Sequence, residues 1–143
     1  MSIKRYTANA DNTITNAFEA NLQTRGTGSN MGESDILESF TIYGQASTSS
    51  MEQARILINF PVSEISTDRT AGDIPTVGNV SFYLRVYNAP HGQTLPRDYS
   101  LAVLPVSRSW SEGYGLDMEG YTDSGFSNWV SAAVSASGDD GVW

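Results

Sequence analysis

Gln53-Ala54-Arg55-Ile56-Leu57-Ile58-Asn59-Phe60 decides the fold class. Side chains alternate with period two along a strand, so Ile56, Ile58 and Phe60 share one face while Arg55, Leu57 and Asn59 share the other. Pro61 has no amide hydrogen for a further rung and stops the strand. Pro61-Val62-Ser63-Glu64-Ile65 is then expected to close one helical turn with Val62 and Ile65 facing inward.

The same period recurs on both sides of this stretch. Upstream, residues 35–43 alternate, with Ile36, Glu38, Phe40 and Ile42 on one face and Leu37, Ser39, Thr41 and Tyr43 on the other, before Gly44 ends the run. Residues 3–8 are strand-like, and residues 12–22 form a second, irregular candidate. Residues 24–32 carry three glycines and are expected to form a surface loop. Downstream, residues 66–78 contain Gly72, Pro75 and Gly78 and are expected to form a connection too long for a two-residue hairpin. Residues 79–88 then predict a core strand, with Val80, Phe82, Leu84 and Val86 on one side and Ser81, Tyr83, Arg85 and Tyr87 on an aromatic outer side. Residues 99–106 predict another, with Leu101, Val103 and Pro105 on one face and the proline marking an edge or an end. Residues 127–136 are a weaker apolar segment. Six or seven strands without intervening helices predict an all-β protein, a two-sheet antiparallel sandwich of jelly-roll-like type.

Composition sets the outer bounds. The 143 residues suit one ordinary domain, so residues 1–143 are expected to form a single β-sandwich. Ser and Thr number 31 while charged residues make up only 17%, a balance suited to strands with one wet face and unsuited to a helical bundle. The net charge of −8 repels phosphate backbones and anionic lipid, so neither nucleic acid nor a membrane is expected as a partner. There is no cysteine for a disulfide, a thiolate zinc site or a nucleophile, and a single histidine, His91, cannot build a histidine metal site. No apolar run reaches the length of a membrane span, and the opening Met1-Ser2-Ile3-Lys4-Arg5-Tyr6 has no signal-peptide core. At the other end, the turn signal Ser137-Gly138-Asp139-Asp140-Gly141 precedes Val142-Trp143, which look like the start of a new strand. The chain is therefore expected to be the N-terminal part of a longer polypeptide, or to borrow strands from a partner.

Several segments, in order, resemble the DNRLRE-type domain, a jelly-roll module related to carbohydrate-binding modules. They are Ala10-Asp11-Asn12-Thr13-Ile14, then Asn30-Met31-Gly32, then Ala54-Arg55-Ile56-Leu57-Ile58-Asn59-Phe60 with Val62-Ser63-Glu64-Ile65. The series continues with Val80-Ser81-Phe82-Tyr83-Leu84-Arg85-Val86-Tyr87 and Val106-Ser107-Arg108-Ser109-Trp110-Ser111-Glu112-Gly113. Together they span about two-thirds of the chain, and each is weak alone. The first fourteen residues also look like the start of virion structural proteins of tailed phages, particularly those of marine cyanobacteria. That resemblance implies a structural, non-enzymatic component of a phage virion, made in the host cytoplasm. Its expected partners are other virion proteins and copies of itself, forming a homo-oligomer through sheet edges and loops. The DNRLRE resemblance implies the alternative, a carbohydrate-binding or host-adhesion module. Secreted DNRLRE modules sit beside catalytic or anchoring domains, and none is expected within these 143 residues.

Aromatic faces stack on sugar rings, so the candidate glycan-binding residues are Tyr83, Tyr87, Trp110, Tyr114 and Trp129, with Tyr121 beside them. The structural alternative is that outward tyrosines cover a second sheet or a neighbouring subunit and that Trp110 plugs the core edge. Asp117, Glu119 and Asp123, with Asp139 and Asp140, supply carboxylates that a calcium ion can use, although the spacing fits no EF-hand and a solvated acidic loop explains them as well. No cofactor is otherwise expected. No catalytic residues are assigned: no carboxylate pair is marked by its context, His91 has no nucleophile partner, and Ser111 precedes its glycines rather than lying between them. Arg55 and Arg85, beside inward residues on central strands, are expected to pair with acids such as Glu38.

Overall fold

The Leu57 stretch is the middle strand of a three-stranded antiparallel sheet in the computed structural model, which describes residues 3–75, 78–90, 92, 98–116, 126–133 and 141–143. Strand β1 is Ala10–Thr15, β2 is Thr41–Tyr43 and β3 is Met51–Asn59, in the order β1-β3-β2. The register pairs Asn12 with Leu57 and Ile14 with Arg55 on one side of β3, and Ile42 with Glu52 on the other. A helix, α1, follows over Val62–Ala71. Strands β4, Ser131–Ala133, and β5, Gly141–Val142, make a second, two-stranded antiparallel sheet. The protein is thus β-rich, with one short helix and two small antiparallel sheets among the described residues. No helix among them is long and apolar enough to cross a membrane.

The chain divides into two compact units. One joins Arg5–Pro61 to Arg108–Trp143 and holds both sheets. Among its described residues the buried apolar ones are few: Ile14, Ala17, Met31, Leu57 and Ala132. Polar side chains supply much of the rest, with Asn12, Thr13, Thr15, Asn30, Glu52 and Ser127 all fully buried. The other unit joins the residues up to Lys4 to Val62–Ser107 and contains α1. There the Lys4 ammonium lies 2.7 Å from the Asp68 carboxylate and 3.0 Å from that of Asp73, at the end of the helix. Its proton is held more firmly than in a free lysine, chiefly by the bond to Asp68 and then by that to Asp73.

Several sequence expectations change here. The helical turn at Val62 runs on for ten residues into the segment expected to be a loop, because no glycine or proline intervenes before Gly72. Val62 is exposed rather than inward, and no helix residue is buried. Only Thr41–Tyr43 of the strand expected over 35–43 is laddered, and of residues 12–22 only the part up to Thr15 is. The glycine-rich 24–32 segment is not a surface loop throughout: Ser29, Asn30 and Met31 are buried. Residues 3–8, 79–88 and 99–106 form no strand, and the apolar faces predicted for the last two are exposed but for half-buried Val80, with Phe82 at 69% and Val103 at 75%. In β3 it is Leu57, from the face opposite Ile56 and Ile58, that is buried.

Candidate functional site

The larger unit is organised around buried amides. Strand β1 lies at one side of the β1-β3-β2 sheet with its last four residues buried, and Asn12 among them has no exposed surface. Its Nδ2 donates to Ser127 Oγ at 2.7 Å and to the Ser127 carbonyl at 3.2 Å, while its Oδ1 accepts from the Met31 amide at 2.8 Å. One side chain thereby fastens β1 to residue 31 and to residue 127, 115 positions away. Asn30 repeats the device: its Oδ1 accepts from Gly115 N at 2.9 Å. The backbone at 30–32 and 112–115 passes so close that a Cβ at Gly32 would strike the Glu112 carbonyl, and one at Gly115 the Asn30 carbonyl. Gly113, with φ +91°, additionally adopts the left-handed backbone that side chains resist. Asn128 Oδ1 then accepts from the amides of Val130 and Ser131, setting the turn into β4, and its carbonyl accepts from Trp143 Nε1 at 2.7 Å. These asparagines and Ser127 are the residues the alternation pattern missed. The sequence signal for Asn12 and Asn30 was membership of the short segments Ala10–Ile14 and Asn30-Met31-Gly32, which the fold brings together with Glu112 and Gly113, while Ser127 and Asn128 lay in the weak apolar segment 127–136.

Beside this knot, the Asp11 amide donates to Glu112 Oε1 at 2.8 Å. Partial burial, and secondarily the Glu112 charge, raise the pKa of the Asp11 carboxyl above its ordinary 3.8. Across the sheet, Glu52 is buried with Oε2 accepting from the Phe18 amide at 2.8 Å, while Oε1 has no partner among the described residues. Arg25 lies 4.1 Å over the Phe18 ring and donates to the carbonyls of Asn16 and Met51. The bonds to the Phe18 amide and to the Asn16 and Met51 carbonyls hold turns in place.

The five aromatic candidates divide between the two units. Tyr83 and Tyr87 belong to the smaller one and are exposed, at 89% and 76%. They flank Arg85 in sequence, and its guanidinium lies 5.0 Å from the Tyr87 ring. Trp110, Tyr114 and Trp129 belong to the larger unit. Trp110 is half-buried, Trp129 is half-buried beneath the Arg55 guanidinium at 4.1 Å, and Tyr114 is exposed with its ring edge-on to Phe126 at 4.6 Å. Both arginines expected to form ion pairs thus stack on aromatic rings instead, and among the described residues neither forms a salt bridge. Planar, weakly hydrated guanidinium groups favour such faces. The acidic candidates Asp117, Glu119, Asp123, Asp139 and Asp140 lie outside the described residues, as do His91 and Tyr121.

No protein-family model, curated protein or solved structure matches this chain.

Proposed function

We propose that this protein is a structural component of a phage virion, making subunit contacts through its strand segments and loops. The observation that carries this reading is the stretch 82–106, where ten large apolar or aromatic side chains stand exposed, among them Phe82, Val86, Leu101 and Leu104. Monomers seldom expose a run of this kind, and a strand-forming sequence with unused backbone groups is a template for another chain. A jelly-roll sandwich is the architecture this reading expects, with segments 80–90 and 98–107 entering a sheet on assembly. Gold-labelled antibody on purified source particles tests it. Regular label on capsid, neck or tail, together with the chain in the denatured particle proteins, supports the reading, and absence from those proteins overturns it.

A second reading, a carbohydrate-binding or host-adhesion module, is favoured by the paired exposure of Tyr83 and Tyr87 around Arg85. Two exposed rings four residues apart, with a guanidinium against one of them, suit stacking on sugar rings with the guanidinium donating to hydroxyls. Its test is saturable polysaccharide binding that is lost in Tyr87→Ala while the fold survives.

A further inference from the structure

Segments 80–85 and 98–103 are complementary in one antiparallel register. Placing Val80, Phe82 and Leu84 opposite Val103, Leu101 and Tyr99 puts six apolar or aromatic side chains on one face. The other face then sets Ser81 against Ala102, Tyr83 against Ser100 and Arg85 against Asp98, so the only two charged residues of the segments meet. A slip of one residue mixes the faces. A slip of two in one direction keeps the apolar face but moves Asp98 opposite Tyr87 and brings Pro105, which cannot donate, opposite Val80. Within one chain this pairing is not made: among the described residues no backbone hydrogen bond joins the two segments, and all twelve side chains but that of Val80 are exposed.

We infer that these segments pair between two copies of the chain, residues 80–85 of each with 98–103 of the other, as a two-fold symmetric strand exchange. The inference rests on the assembly reading above and names its partner and contact. Symmetry satisfies both segments of both copies at once and closes the contact, which favours a dimer over an open fibre. Charge also permits it. The unit carrying both segments has four basic residues, Lys4, Arg69, Arg85 and Arg97, and four acidic ones, Glu64, Asp68, Asp73 and Asp98, so two such units do not repel.

The chain has no cysteine, which makes engineered disulfides a clean readout. Ser81→Cys and Ala102→Cys chains, tagged differently, mixed and oxidised, are expected to give a cross-linked product of twice the 15.5 kDa chain mass that contains one of each. Each variant alone should give none, because position 81 faces 102 and not itself. In the double variant, a disulfide confined to single chains overturns the inference in favour of a hairpin, and so does the absence of any mixed product. Arg85→Asp is expected to weaken self-association about tenfold, with Asp98→Arg added to the same chain restoring it. A chain found in particles yet showing no mixed cross-link overturns this pairing and leaves the virion reading standing. A mixed cross-link in a chain absent from particles upholds the pairing and removes the virion reading.

Discussion

Asn12 has no contact with water, so every hydrogen-bonding position on its amide must be met inside the protein. Asn12→Asp turns the donor facing the Ser127 carbonyl into an acceptor and buries a charge, and a loss of about 3 kcal/mol in denaturant unfolding is expected. An unchanged midpoint would remove this amide from the centre of the unit. Its neighbour Asp11 gives the opposite sign. Burial and the Glu112 charge lift its folded pKa above the unfolded one, so its ionised form opposes folding at neutral pH. That opposition fades as pH falls through the raised pKa towards 3.8, where the folded state takes up the proton first. Asp11→Asn keeps the amide bond to Glu112 and removes the charge. The variant should unfold at higher denaturant than the parent at neutral pH, with the difference closing below the unfolded pKa, and a difference independent of pH would refute the cause.

Helix α1 shows what a period-based reading overlooks. No residue of it is buried, and Thr67 and Thr70 turn their hydroxyls back onto the carbonyls of Ser63 and Ser66, so it presents no apolar stripe. Its limits are chemical instead: Pro61 before the first turn, Glu64 within that turn, Arg69 in the last and Gly72 beyond it. Gly72 has φ +85°, donates to the Arg69 carbonyl at 3.2 Å and lets Asp73 N reach the Asp68 carbonyl at 2.9 Å, the paired bonds of a Schellman cap. Nothing lies near the position of a Cβ there, so Gly72→Ala tests backbone conformation alone. A loss of about 1 kcal/mol with reduced helical circular dichroism is expected, and full retention of both would show that the cap is dispensable. The strands were legible where alternation coincides with backbone pairing, as in β3 and in the Val142 end, which pairs with Ser131. Alternation also marked residues 79–88 and 99–106, which carry no ladder: period two reports that a segment suits a sheet, not that a neighbouring strand lies within reach.

Across the whole molecule, the net charge is unevenly divided. The larger unit has twelve acidic residues against four basic ones and carries the entire net charge of −8, while the smaller unit is neutral and bears the exposed strand-like segments. The acidic total was legible in composition, but its partition was not, because the larger unit is assembled from two stretches of sequence separated by the smaller one. The candidate aromatic site was legible in the same limited sense: residue type marked Tyr83 and Tyr87, whereas the guanidinium that covers Trp129 comes from Arg55, far away in sequence. The partition has a consequence for assembly. Two copies meeting through their neutral units still bring two acidic units into the same particle, and that repulsion extends over roughly 30 Å at 0.01 M salt but only about 8 Å at 0.15 M. Apolar pairing is not weakened by moderate salt. Self-association measured by analytical ultracentrifugation should therefore tighten as sodium chloride rises from about 0.01 to 0.15 M. Loosening over the same range would instead mean that attraction between opposite charges, such as Arg85 and Asp98, outweighs apolar burial in the contact, and would refute the apolar pairing as its main support.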